Sequence, residues 1–223
     1  MAPERIPVVE EILGANDDVA ARNRALLDSH GVHCINVMAS PGAGKTTLIT
    51  RTALALQAQR RVGVIEGDIA SSVDTDRVRA LGFPAVQINT GGGCHLDAPQ
   101  VRSALDRLPL GALDLLFIEN VGNLICPAAF KLGTHLSVVI ASVPEGADKP
   151  YKYPAMFKGA DVLLLNKMDL CEYQDFDVDY FRHGVEVLNP SLTFFPISCR
   201  TGEGFDAWLA WLRDRIAQRS SAG

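Results

Sequence analysis

From residue 33 onward, short continuous apolar runs alternate with stretches whose apolar positions recur at helical spacing. The runs are CINVM (34–38), VGVIEG (62–67), AVQIN (85–89), DLLFIE (114–119), LSVVIASV (136–143), DVLLLN (161–166) and TFFPIS (193–198). Runs without polar alternation suit strands covered on both faces. Helical patterns occupy 45–59, 74–81, 97–108, 177–188 and 204–218. This alternation predicts an α/β fold: a doubly wound, mostly parallel sheet with helices on both faces. Ahead of it, residues 8–29 predict an amphipathic helix, with Val8, Val9, Ile12, Val19, Ala20 and Leu26 among its apolar positions. Gly14 and Asn16 are candidate interruptions of that helix. The pattern divides the chain into an N-terminal helical extension over 1–30, packing on a domain over 31–218, and a frayed tail over 219–223.

The first predicted strand runs into Ala39-Ser40-Pro41-Gly42-Ala43-Gly44-Lys45-Thr46-Thr47, and a helix follows. This is the Walker A pattern in strand–loop–helix context, with Ala39 in place of its first glycine. Pro41, Gly42, Ala43 and Gly44 form the nucleotide-binding loop, whose glycines let backbone N–H groups turn toward the phosphates, and the helix N-terminus adds partial positive charge. Lys45 would reach the β- and γ-phosphates, and Thr46 would coordinate Mg2+, with Thr47 beside it. The run 161–166 ends in Asn166-Lys167-Met168-Asp169, the NKxD pattern at a strand C-terminus. Asp169 can accept from guanine N1–H and the 2-amino group, which adenine does not offer in that arrangement. Asn166 can meet guanine O6 or N7, and the Lys167 stem can lie over the base. Ser198-Cys199-Arg200-Thr201-Gly202 resembles the loop that closes over guanine O6 in GTPases. In this order the motifs specify GTP or GDP as ligand.

Two acids sit at predicted strand ends beside the phosphate loop. Asp68 is a candidate Mg2+ ligand or a support for one, and Glu119 occupies the Walker B position. Residues 70–76 form a polar segment that could reorganise with the γ-phosphate, although Asp74 and Asp76 also suit helix capping. No glutamine is obviously placed to orient water, so slow intrinsic hydrolysis is expected.

Composition narrows the setting. The net charge is −5 with no basic run, which argues against a nucleic-acid partner. No apolar run reaches membrane-spanning length, and MAPERIPVVEEI has no signal-peptide pattern, so a cytoplasmic protein is expected. Five scattered cysteines argue against a disulfide framework in that compartment. Cys34, Cys171 and Cys199 read as packing residues, and His33, His135 and His183 as structural or solvated. Trp208 and Trp211 read as a core-facing stripe. Cys94 and His95 follow the run 85–89, and Cys126 follows Glu119, so the three could converge near the nucleotide. Thiolate and imidazole suit Ni2+ or Zn2+. Two loop cysteines and a solvated histidine would give the same spacing. Residues 148–154, rich in proline and tyrosine, form a candidate dimer-contact loop.

The segments PGAGKTT, EGDIASSVDTDR, NTGGGCHLDA, FIENVGNLICPA, EGADKPYKYP and NKMDL together resemble the HypB family of hydrogenase nickel-incorporation GTPases. The resemblance covers about 33–218 and implies a SIMIBI-type P-loop GTPase. It implies a GTP-dependent homodimer that carries metal on Cys94, His95 and Cys126. It also implies work with a HypA-type zinc/nickel accessory protein and delivery of nickel to the NiFe-hydrogenase large subunit precursor. No cysteine precedes Cys34, so the N-terminal nickel-storage motif of some members is missing from this sequence. The sibling urease GTPase UreG carries a Cys-Pro-His loop. Here Cys94-His95 has no intervening proline and Cys126 adds a second thiol, which favours the hydrogenase branch.

Overall fold

The computed structural model describes residues 8–69 and 71–220. Seven strands form one sheet: β1 (His33–Ala39), β2 (Val62–Asp68), β3 (Ala85–Asn89), β4 (Leu115–Glu119), β5 (Leu136–Ser142), β6 (Val162–Asn166) and β7 (Thr193–Pro196). Their order is β3-β2-β4-β1-β5-β6-β7, and every pairing is parallel, including the edges. The helices are α1 (Val8–Ser29), α2 (Lys45–Leu56), α3 (Val73–Ala80), α4 (Ala98–Leu105), α5 (Lys149–Lys152), α6 (Pro154–Lys158), α7 (Val178–Leu188) and α8 (Phe205–Ser220). All seven predicted strands are present, most within two residues of the expected ends.

The continuous apolar runs have their physical cause in this layering. On β1, Ile35 and Val37 join one core with Leu48, Phe117 and Trp208. Their neighbour Cys34 faces the other way, into a core with Leu27, Ile65, Leu105 and Leu116. Met38 joins a third core with Phe157, Leu163 and Phe181. With helices over both faces, neither side of a strand needs polar residues. The chain winds outward from β1 to β2 and β3, then returns to lay β4 between β2 and β1. The crevice at the C-terminal ends of β1 and β4 is the switch point where such sheets hold ligands.

One expectation changes: α1 runs unbroken through the candidate interruptions Gly14 and Asn16. Asn16 is buried, and its amide is spent on other segments: it donates to the Lys131 carbonyl at 2.8 Å and accepts from the Ala98 N–H at 2.8 Å. A side chain with tertiary partners does not compete with its own helix, which is the usual reason asparagine breaks one. The candidate dimer-contact segment 148–154 is largely helical. It forms α5 and begins α6, with Pro150 and Pro154 in the first turns, where a missing N–H costs nothing. Arg219 and Ser220 of the expected tail are the last residues of α8. Residues 1–7 of the expected extension and 221–223 of the expected tail lie outside the described residues. No described helix is long and apolar enough to cross a membrane.

Candidate functional site

The phosphate loop joins β1 to α2 across the switch point. Gly42 and Gly44 adopt φ of 77° and 109°, turning backbone N–H groups inward. At Gly44 a side chain is also excluded by space, since a Cβ would lie 2.5 Å from Asn166 Nδ2. Lys45 is buried at the first position of α2; burial lowers its pKa, while Glu119, Asp74, Glu145 and Asp68 pull it back up. Pro41, Gly42, Gly44, Lys45, Thr46 and Thr47 line a half-open cavity of about 480 Å³ together with Asp68, Asp74, Arg77 and Glu119. Ala43 is buried behind the loop, and its carbonyl accepts from Asn166 Nδ2 at 2.9 Å.

Glu119 ends β4 inside this cavity. Burial raises its carboxyl to about pKa 8, opposed by Lys45. One oxygen accepts from Thr46 Oγ1 at 2.9 Å, and the other, Oε2, is buried with no hydrogen-bond partner among the described residues. Asp68 ends β2, half-buried, with Oδ1 accepting the Ser71 N–H at 2.7 Å. A hydroxyl and two carboxylates, one with an orphaned oxygen, are hard donors of the kind Mg2+ takes. Sequence reasoning missed a third acid. Glu66 lies beside Glu119 in the β2–β4 register and is buried; burial raises it to about pKa 7. Its Oε2 accepts from Thr75 Oγ1 of α3 at 2.7 Å. The string Glu66-Gly67-Asp68 pointed to this strand end, but only the register places Glu66 against Glu119. Neither Asp74 nor Asp76 caps α3, whose N-cap is Ser72 without a side-chain cap bond. Asp74 lines the cavity, whereas Asp76 accepts from Ser72 Oγ at 3.1 Å and pairs with Arg79.

The base-side residues converge at the ends of β6 and β7. Asn166 is buried and ties the two loops together. It donates to Ala43 and accepts the Cys199 N–H at 2.9 Å. Lys167 takes a left-handed φ of 64°, and its ammonium donates to the Gly42 carbonyl at 2.7 Å. Its aliphatic stem therefore bridges the phosphate loop and the base side. Asp169 accepts from Ser198 Oγ at 2.5 Å and from Arg200 Nε at 2.9 Å. The Ser198 hydrogen bond, with Arg200 nearby, holds its pKa below the usual value, so it stays an acceptor. Arg200 was not anticipated as a partner. Cys199 is buried, contributing backbone rather than its thiol, and burial raises that thiol to about pKa 11. Glu145, also unanticipated, accepts from Ser40 and Ser142 beneath the phosphate loop.

Cys94, His95 and Cys126 come together. Their ligand atoms all lie within 4.8 Å of one another, with the two sulfurs 2.9 Å apart and His95 Nδ1 3.7 Å from Cys94 Sγ. The His95 ring stacks on Phe130 at 3.9 Å between centroids. Among the described residues this is the one cluster of three or more such side chains able to share a metal ion. Cys126 follows Glu119 through one short loop, whose Asn120 and Asn123 N–H groups donate to the Val37 and Ala39 carbonyls of β1. Cys34 is buried, as expected. His33 is buried against His135 rather than solvated, and His135 Nδ1 accepts the Cys34 N–H at 2.8 Å.

Residues 33–196 match the family described as CobW/HypB/UreG, nucleotide-binding domain. Hydrogenase maturation factor HypB of Azotobacter vinelandii is 50% identical over 215 residues, covering 96% of this chain and 71% of that protein. The solved structure of hydrogenase maturation factor HypB from Archaeoglobus fulgidus matches with a TM-score of 0.86 at 39% identity, covering 92% of this chain and 100% of that one. That of HypB from Helicobacter pylori in complex with nickel matches with a TM-score of 0.88 at 36% identity, covering 92% and 96%.

Proposed function

Because the chain belongs to the HypB hydrogenase maturation factors of the CobW/HypB/UreG family, we propose that it is a GTP-hydrolysing nickel metallochaperone. It helps insert nickel into the NiFe-hydrogenase large subunit precursor and works with a HypA-type zinc/nickel accessory protein in the cytoplasm. The observation that carries this reading is the convergence of Cys94, His95 and Cys126 one short loop away from Glu119. Three soft or borderline donors leave a tetrahedral or square-planar ion short of its full set. The same arrangement suits Zn2+ as an alternative occupant. An open position is what a carrier needs, since a second copy of the chain, water or a receiving protein can complete the shell.

On the nucleotide side, backbone N–H groups of 42–47 receive the phosphates at the N-terminus of α2. Lys45 places a desolvated ammonium against the β- and γ-phosphates, where a low local dielectric strengthens it. Asp169, kept ionised by Ser198 and Arg200, reads guanine N1–H and the 2-amino group, with Asn166 and Lys167 setting the loop geometry. Mg2+, held by Thr46, Glu119 and Asp68, would neutralise charge developing on the phosphates. No described glutamine lines the phosphate cavity, which supports slow intrinsic turnover. GTP favours a homodimer and reshapes the metal site; because nucleotide and metal are then coupled ligands, each changes the other's affinity by the same factor.

The test is nickel affinity measured with GDP and with a non-hydrolysable GTP analogue, with mass by light scattering on the same samples. Analogue-driven dimerisation with a nickel shift that Cys94→Ala/Cys126→Ala abolishes is expected. Equal nickel affinity in both nucleotide states would overturn the coupling.

A further inference from the structure

The two halves of the Cys94–His95–Cys126 cluster come from separate loops, joined near their strand ends where Asn120 Oδ1 accepts the Leu96 N–H at 3.1 Å. The segments that continue both loops are tied as well to α1. Asn16 accepts the Ala98 N–H at 2.8 Å and donates to the Lys131 carbonyl at 2.8 Å. Asn23, about two turns along the same face, donates to the Ala98 carbonyl at 2.9 Å and to the Leu132 carbonyl at 3.2 Å. Ala98 lies just beyond His95, at the start of α4. Lys131 and Leu132 lie just beyond Cys126 and Phe130. Each asparagine therefore bridges the continuation of one metal-bearing loop to that of the other. Both side chains are buried, so releasing either segment would strand polar groups away from water.

Further contacts run to the segment after Cys126. Arg24 Nη1 donates to the Thr134 carbonyl at 2.5 Å, and Asp17 pairs with Lys131 at 2.6 Å. Gly133, at φ 91°, passes so close to α1 that a Cβ would lie 2.4 Å from the Ala20 carbonyl oxygen. Apolar packing contributes at Leu132, which shares a core with Leu27 of α1, but it does not fill the whole contact. A cavity of about 490 Å³, lined by Ala20, Arg24, Met38, Phe130 and Met156, opens between α1 and the segment. Hydrogen bonds hold the segment across that space, and it carries Phe130, on which the His95 ring lies.

We infer that Asn16 and Asn23 are positioning residues for the metal site, setting the separation of Cys94 and His95 from Cys126 through Ala98 and the 131–132 carbonyls. This rests on the metal reading of the preceding section. Outer groups that orient ligands usually change metal affinity by about 10–100-fold when removed.

The experiment compares the full chain with Asn16→Ala, Asn23→Ala and a Cys94→Ala/Cys126→Ala control. One readout is Ni2+ affinity with the sulfur-to-metal charge-transfer spectrum. The other is binding of phenylarsine oxide to the metal-free protein, which needs two thiols at close spacing. The asparagine variants are expected to bind Ni2+ about 10-fold or more weaker, with a shifted spectrum and weaker arsenical binding, while melting cooperatively. Unchanged spectrum, affinity and arsenical binding would overturn the inference. If an asparagine variant does not fold, Arg24→Ala removes the Thr134 anchor from a half-exposed side chain. An about threefold loss in the arsenical assay is then expected from one hydrogen bond, and no loss overturns the inference. Should the parent bind no Ni2+ through its cysteines, the metal reading falls by itself. The arsenical comparison still decides whether the asparagines set the thiol spacing.

Discussion

Replacing Glu119 with glutamine should make the empty protein more stable and the loaded protein less so. The folded carboxyl titrates at about 8 against an ordinary value of 4.5, because burial outweighs the attraction of Lys45. Between those values the unfolded chain ionises while the folded chain stays protonated. The contribution is therefore fully favourable below about pH 4.5 and declines as pH rises toward 8. At pH 7 the accumulated penalty is about 3 kcal/mol. Glutamine keeps an oxygen for the Thr46 hydroxyl but puts an amide N–H where Oε2 has no partner among the described residues, costing about 1 kcal/mol. The net gain is about 2 kcal/mol, or about 4–8 °C in Tm for a chain of this size. The assay is thermal melting of nucleotide-free, Mg-free protein from pH 5 to pH 8. The parent should lose stability across that range and Glu119→Gln should lose less. With Mg-GTP the order should reverse, because the parent alone has the anionic ligand that binding rewards. A pH-independent parent melt, or a variant that melts lower than the parent at pH 8 without ligand, would refute the reasoning.

Three further outcomes follow from other parts of the molecule. Asp169→Asn should weaken GTP binding on the order of a hundredfold, through two charge-assisted hydrogen bonds lost, and gain xanthosine triphosphate, whose 2-oxo group accepts from the new amide; fluorescent-nucleotide titration reads both. His33 and His135 are each lowered from 6.5 to about 4, chiefly by burial, so they fold neutral. Their contribution is complete above about pH 6.5 and is lost as pH falls toward 4, and urea midpoints of His33→Leu should show a flatter acid limb than the parent. Trp208→Phe removes the bond from Nε1 to Thr52 Oγ1 at 3.0 Å and strands a buried hydroxyl. Calorimetry should show a loss of about 1–3 kcal/mol.

Strand positions, the phosphate loop and the NKxD loop were legible because each is written locally. A continuous apolar run needs only two covered faces, and a phosphate loop needs only glycines, a lysine and a threonine at fixed offsets along one turn of chain. Cys94, His95 and Cys126 were legible only as candidates, since spacing alone equally allowed solvated loop side chains; their meeting within 4.8 Å depends on the β3 and β4 ends. Glu66 came to stand beside Glu119, outside the cavity lining, through the parallel register of β2 and β4. Arg200 reached Asp169 because β6 and β7 are neighbours. Asn16 looked like a helix breaker because, within its own segment, an amide competes with the backbone. In the folded chain that amide is consumed by Ala98 and Lys131, 82 and 115 positions away. The sequence by itself determined the elements and the chemistry that each carries, because those depend on near neighbours. The tertiary structure alone decided which acids lie side by side at the strand ends and which asparagines tie α1 to the segments after His95 and Cys126. Burial and hydrogen-bond partners are set by segments that meet only when the sheet closes.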